Sequence, residues 1–313
     1  MADQGCGKNK MAIKFFSPLR GRPVIFGEVL FDCFPDGEAV LGGAPFNVAW
    51  HLQGFKNSPL MISSVGNDAH GDKVYATMQA WGMDVSGVQA SDKYPTGQVV
   101  VHLQDGQPSY DIVTGQAYDH IAEQAALVAM EGQQIALLYH GSLALRDKES
   151  RATFDALLAL NNGKPTPPIF LDLNLRDPWW EMSLVEKILR RATWVKLNDE
   201  ELCEVTQHPL TDGDSLQTYA KELFERYELE RLIVTRGAQG AFVISKEGVV
   251  EGRPVPVENI MDTVGAGDAF SAVTIAGISQ GWSIQYTLDR ALAFASAICE
   301  QRGATAQSPD LYR

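Results

Sequence analysis

Asp262-Thr263-Val264-Gly265-Ala266-Gly267-Asp268-Ala269-Phe270 runs directly into an apolar stretch, residues 270–278, whose spacing predicts a helix. Small residues at 265–267 let the backbone approach a ligand closely, and N–H groups at a helix start can converge on one anion. A carboxylate at 268 would lie beside that anion, placed to take a proton from an attacking hydroxyl. Phosphoryl transfer needs these parts: stabilisation of spread negative charge, and a group that orients and deprotonates the nucleophile. The same residues also describe a glycine-rich turn whose aspartate merely caps a helix. A dinucleotide fingerprint, and with it an oxidoreductase, fits poorly, because Phe270 stands where a third glycine belongs and no strand-like run precedes Gly265. A Walker loop is lacking as well, since Gly163-Lys164 is followed by Pro165. The helix start predicts a lowered pKa for Asp268, which favours an orienting role over that of a strong base.

Working outward, strands are predicted over residues 23–31, 60–65, 135–140, 169–173, 194–197, 231–235 and 241–244. Helices are predicted near 46–52, 71–81, 151–160, 184–191 and 216–227. Such alternation implies an α/β fold with a mainly parallel sheet covered by helices on both faces. Ligands bind beyond the carboxyl ends of such strands. Asp32, Asp172, Asn174, Asn198 and Arg236 all sit at or just after predicted strand ends. Between 96 and 116 the pattern changes: short strands over 97–103 and 109–113 flank Asp105-Gly106, a hairpin signal with no helix between them. These strands read as a small β-lid standing apart from the core.

The 313 residues, 45% hydrophobic and 21% charged, suit one large domain with an accessory element. A formal net charge of −13 opposes non-specific binding to nucleic acid or anionic membranes. No apolar run approaches the ~18 residues needed to span a bilayer. Residues 1–22 lack a signal-peptide core and read as a disordered extension, with the folded domain over 23–313. Cys6, Cys33, Cys203 and Cys299 lie far apart and read as reduced thiols of a cytoplasmic protein.

The segment 262–270 resembles the C-terminal signature of the ribokinase-like (PfkB) carbohydrate kinases. Gly42-Gly43-Ala44-Pro45-Phe46-Asn47-Val48-Ala49 resembles the family's N-terminal glycine motif. Further likenesses follow in family order: Gly27-Glu28 with Asp32, Asp172-Leu173-Asn174-Leu175-Arg176, Lys196-Leu197-Asn198-Asp199-Glu200-Glu201 and Val234-Thr235-Arg236-Gly237. The resemblance implies a three-layer fold with lid elements near 33–44 and 96–116, and an ATP-dependent sugar kinase. It implies Asp268 as base, Gly265, Ala266 and Gly267 as anion hole, and Arg176 near the transferred phosphoryl group. Asp32, Gly42, Gly43 and Asn47 would hold the sugar. Asn198 and Glu201 would handle Mg²⁺ through water, in keeping with that ion's reluctance to dehydrate. Thr235, Arg236, Gly237, Gly240 and Ser296 would border the nucleotide. Many relatives hold a monovalent cation, which makes Asp262, Val264 and Gly303 candidate K⁺ ligands, although the tail 303–308 departs from the ribokinase pattern.

Pro95-Thr96-Gly97, Tyr110 and Tyr139-His140-Gly141-Ser142-Leu143 resemble the fructokinase branch, so D-fructose is the first expected acceptor. 2-Keto-3-deoxygluconate, ribose or a nucleoside stand behind it, and a catalytically silent binding subunit is the non-enzyme alternative. His140 reads equally as a sugar contact or a structural histidine, and Trp179-Trp180 as packing. Lid strands of this kind often pair between subunits, which predicts a homodimer.

Overall fold

The computed structural model describes residues 18–104, 107–160, 166–209, 214–257 and 259–313. Residues 1–17 of the expected extension, the Asp105-Gly106 turn and Gly163-Lys164 lie outside the described residues. Leu19 already packs on the apolar core, and β1 (Arg22–Phe26) opens at Arg22, so residues 18–22 belong to the fold rather than to an extension.

The described strands build two sheets. The large one has nine strands in the order β13-β12-β11-β10-β9-β8-β1-β4-β5. Its members are β1, β4 (Leu60–Gly66), β5 (Val88–Ser91), β8 (Ile135–His140), β9 (Ile169–Asp172), β10 (Trp194–Asn198), β11 (Arg231–Thr235), β12 (Ala241–Ser245) and β13 (Gly248–Gly252). All pairings are parallel except β11–β12 and β12–β13. The small sheet has the order β3-β2-β6-β7, from β2 (Leu30–Cys33), β3 (Ala39–Gly42), β6 (Gly97–Gln104) and β7 (Gln107–Ile112). It is the expected lid.

Two apolar layers sandwich the large sheet, and the strands feed them alternately. Val24, Phe26, Leu138, Leu171, Val195 and Leu232 face one layer, whereas Ile25, Tyr139, Phe170, Trp194 and Ile233 face the other. This period of two is the pleat of a strand buried on both faces. The first layer is closed by α3 (Glu123–Met130), α4 (Lys148–Ala159), α5 (Met182–Leu189), α6 (Asp199–Thr206) and α7 (Asp214–Arg226). The second is closed by α1 (Ala44–Gly54), α2 (Ala69–Ala80), α8 (Ala266–Gln280) and α9 (Ile284–Cys299).

The expected single strand over 23–31 is in fact two. The chain leaves the large sheet at Gly27 and re-enters structure as β2 of the lid. Gly27 has φ +153°, and a Cβ there would run into Pro45 at the start of α1. Asp32 therefore stands on a lid strand, not at the end of a core strand. Strand order reverses at β1: the chain proceeds to β4 and β5 on one side, then to β8, β9, β10 and β11 on the other. A crevice outside the carboxyl ends of strands forms at such a reversal, and the lid springs from its rim.

Candidate active site

Two helices begin at this crevice without a side-chain cap. Gly43 stands at the N-cap of α1 and Gly265 at that of α8, and neither offers a side chain to the first turn. The leading N–H groups of a helix have no partner within it, so both ends can serve an anion or a sugar oxygen. Gly265 has φ +80°, and a Cβ there would run into Ala304 of the C-terminal tail. Only glycine allows the backbone to turn there while the tail lies directly against it.

Asp268, in the first turn of α8, joins the two helices by accepting a hydrogen bond from Asn47 Nδ2 at 2.8 Å. Burial pushes the Asp268 carboxyl up to about 6, an effect reinforced by Asp172 and opposed by Asn47, Lys196 and Arg176. The lowering expected from the helix start is thus outweighed, because removing water from a carboxylate costs more than a helix end returns. Asp268 is a better proton acceptor than the sequence predicts.

Beneath the α8 start lies a buried polar cluster. Lys196 Nζ donates to both oxygens of Asp172, at 2.8 and 3.0 Å, and Ser271 Oγ donates to Asp172 Oδ2 at 2.6 Å. Burial opposes the Lys196 charge, but Asp172 outweighs it and holds the ammonium above its ordinary range. A Cβ on Gly267 would lie 3.5 Å from Lys196 Nζ, so the ammonium sits directly under the glycine turn. Lys196 and Ser271 had no assigned role in the sequence. The available signal was a lysine inside an otherwise apolar strand, a residue almost never buried unless paired.

The expected sugar residues converge. A Cβ on Gly42 would meet Asp32 Oδ2 at 3.8 Å and Asn47 Oδ1 at 4.0 Å, so Gly42 keeps open the space between them. Burial raises the Asp32 carboxyl, and Arg176 opposes that rise. The exposed Arg176 thereby acts on Asp32 and Asp268 alike, from the loop after β9.

Asn198 and Glu201 form a reciprocal cap on α6: Glu201 N donates to Asn198 Oδ1 at 2.7 Å, and Asn198 N donates to Glu201 Oε2 at 2.9 Å. Leu175 N donates to Glu201 Oε1 at 2.8 Å. With each oxygen already engaged, Glu201 retains lone pairs suited to ordered water, which fits an outer-shell role toward Mg²⁺.

Thr235 ends β11 with Arg236 and Gly237 directly after it, and Ser296 on α9 donates to Val255 O at 3.1 Å in the loop before α8. No hydrogen bond joins this group to Asp268 among the described residues. Gly240 has φ +90° and a Cβ there would run into Gly252, so its need for glycine is structural. Asp262 gathers Val264 and Gly303 by accepting from their N–H groups at 3.0 and 3.2 Å. His140 turns out to be structural: it is buried against Phe154 with Nδ1 at 2.9 Å from Gly141 O, and burial drops its pKa to about 4. Trp179 packs beneath Arg146, 4.8 Å from its guanidinium carbon to the ring centre, in keeping with the packing expectation.

The sequence model of the pfkB family carbohydrate kinases matches residues 34–311. Fructokinase of Escherichia coli is 30% identical over 266 residues, covering 82% of this chain and 83% of the relative. Fructokinase of Salmonella typhimurium is 29% identical with the same coverage. Among solved structures, an uncharacterized sugar kinase from Pyrococcus horikoshii in complex with ATP matches with a TM-score of 0.75 at 25% identity, over 90% of this chain and 93% of that one. A fructokinase double mutant from Vibrio cholerae, bound to fructose, ADP and potassium ion, matches with a TM-score of 0.77 at 24% identity, over 95% and 98%. The chain belongs to the pfkB family of carbohydrate kinases, phosphotransferases that act on an alcohol group of a sugar.

Proposed function

We propose that this kinase transfers the γ-phosphoryl group of ATP to a hydroxyl of D-fructose, with Asp268 as the base. The observation that carries the reading is a half-buried carboxylate, raised toward neutrality, held by Asn47 where two uncapped helix starts meet. Asp32, Gly42, Gly43 and Asn47 would seat the sugar under the lid. Asp268 would orient its hydroxyl and take the proton as oxygen bonds to the γ-phosphorus and ADP departs. The N–H groups of Gly265, Ala266 and Gly267 would face the equatorial oxygens, with Lys196 below and Arg176 at the side. Thr235, Arg236, Gly237, Gly240 and Ser296 would border the nucleotide. Exposed Val255, Ile260, Met261 and Val264 supply apolar surface for a purine nearby. Asn198 and Glu201 would hold Mg²⁺ through water, and that ion would neutralise phosphate charge when bound. Asp262, Val264 and Gly303 are the candidate neighbours of a potassium ion.

The relatives named fructokinase favour a ketohexose. A panel of D-fructose, D-ribose, 2-keto-3-deoxygluconate and nucleosides, assayed with Mg-ATP with and without potassium, tests the reading. Highest kcat/KM on fructose is expected, and no turnover of any ketose would sink it. Among the described residues Cys33 and Cys299 are free thiols, which would suit a reducing cytoplasm. Strand β7 forms a lid edge and carries Tyr110 at 57% exposure, which suits pairing of two lids in a homodimer. A monomeric mass by light scattering at assay concentration would contradict that pairing.

A further inference from the structure

Three side-chain atoms near the sugar residues are buried without a hydrogen-bond partner: Glu28 Oε2, Asn47 Oδ1 and Arg146 Nη1. Asn47 belongs to the site already described, but Glu28 and Arg146 do not. Glu28 is 3% exposed and sits at the hinge between β1 and the lid strand β2. A Cβ on Gly43 would lie 2.8 Å from Glu28 O and 3.4 Å from Glu28 Cγ, which places Glu28 directly under the glycine pair. Burial raises its carboxyl to about 7, with Arg176 and Arg146 opposing the rise and Asp268 adding to it.

Arg146 reaches the same hinge through Tyr118: a Cβ on Gly97 would lie 2.6 Å from Val29 O, next to Glu28, and 2.8 Å from the Tyr118 ring, whose hydroxyl Arg146 binds. Its side chain is 7% exposed. Nε and Nη2 each donate to Asp119 at 2.8 Å, and Nη2 also reaches Val113 O at 2.7 Å and Tyr118 OH at 2.9 Å. Trp179 supports the guanidinium plane. Three groups therefore clamp one edge of the fork, and Nη1 is the edge left over. An ion pair alone does not explain this arrangement. Lys196 and Asp172, a buried pair close by, are in direct contact, whereas Glu28 and Arg146 each keep an unmatched atom. Leaving both a buried acceptor and a buried donor unmatched costs free energy on each side, and a ligand can recover it.

We infer that Glu28 and Arg146 form a recognition pair for a hydroxyl of the acceptor sugar, remote from the one phosphorylated. A hydroxyl both donates and accepts, so one group satisfies both: it donates to Glu28 Oε2 and accepts from Arg146 Nη1. The pair rejects acceptors that present hydrogen or an apolar surface at that point, since they would strand a charge on each side. Its location, on the hinge and against Val113 after β7, ties acceptor recognition to both ends of the lid. This inference rests on the sugar-kinase reading of the site and adds two residues to it.

The test combines Glu28→Met with a substrate series, at pH 8 where Glu28 is ionised. Methionine keeps the volume and removes both charge and hydrogen bonding. With D-fructose, the variant should show a KM raised at least ~10-fold, the worth of one charged hydrogen bond, and an unchanged KM for ATP. Monodeoxy analogues of D-fructose supply the second arm. At one position, deoxygenation should cost the wild type at least ~10-fold in kcat/KM and cost Glu28→Met little more, so the two losses do not add. Glu28→Gln should fall between. The melting temperature of Glu28→Met should rise, because a costly buried charge is gone, and a rise separates lost recognition from a damaged fold. Losses that add at every position would overturn the pair, as would an unchanged KM for sugar or a fall in melting temperature with a uniform loss of activity. Failure of the wild type on D-fructose but not D-ribose would defeat the fructose assignment alone. The same cycle would then be run with D-ribose and its monodeoxy analogues.

Discussion

Asp268→Asn should stabilise the protein while abolishing its activity, and the size of the effect follows from the site. Burial carries the carboxyl from an ordinary 3.8 to about 6. At ~1.4 kcal/mol per pH unit, the ionised form costs the native state about 3 kcal/mol. The sign is set by proton binding: between those two values the native state holds the proton more tightly than the unfolded chain. Wild-type stability therefore falls as pH rises through this window, and the full cost is present above about 6. Asparagine is neutral throughout and can still accept from Asn47 Nδ2. At pH 8 the variant should thus gain roughly 2–3 kcal/mol, or about 5 °C in melting temperature for a chain of this size. The gain should fade as pH falls through 6 and vanish near 3.8. Turnover should drop at least ~10²-fold, the typical worth of a positioned base, with nucleotide affinity unchanged. Thermal melts at several pH values, beside steady-state assays, read both effects. A variant no more stable at pH 8 would refute the burial argument, and near-normal turnover would remove Asp268 as base.

Other outcomes follow from the same geometry. In the wild type, kcat/KM should decline below about pH 6 as Asp268 takes up its proton, so a profile flat down to pH 4.5 would contradict the raised carboxyl. Gly265→Ala should destabilise the fold by ~1–3 kcal/mol and depress kcat, because φ +80° and the adjoining Ala304 leave no room for a Cβ; a melt and an assay together check it. Lys196→Met leaves Asp172 buried without its ion-pair partner and should cost ~3–5 kcal/mol, measurable by urea unfolding. Chelation by EDTA should abolish turnover and leave the melting temperature of the apo protein within about a degree, since Glu201 is already held by Leu175 and Asn198 amides.

The resemblance of the sequence to known kinases led to the residues that meet at Asp268, but not to how they meet. Periodicity located β8, β9, β10 and β11 because apolar runs between polar breaks are legible locally. It missed β13, whose Gly248-Val249-Val250-Glu251-Gly252 is short and bounded by glycines, and α3, whose apolar stripe is brief. It also fused β1 with β2. Apart from Gly27 and Glu28, residues 23–31 are apolar and read as one strand, and the reason for a break at Gly27 is Pro45, eighteen positions further along the chain.

By itself, then, the sequence determined the alternation that makes an α/β sheet, the small residues that open the start of α8, and the carboxylate that follows them. These are properties of neighbours in the chain: side-chain periodicity, backbone freedom and helix-end polarity. The tertiary structure decided the chemistry of the 262–270 segment. It set Lys196 and Asp172 beneath the turn and Asn47 against the carboxylate, and it raised the Asp268 pKa that the helix start alone predicts to be low. It also set Glu28 at the lid hinge and Arg146 against Val113 at the other end of the lid, each with an unmatched atom. Hydration and charge act through space, so a carboxylate's proton affinity depends on what the fold packs around it, whatever its place in the chain.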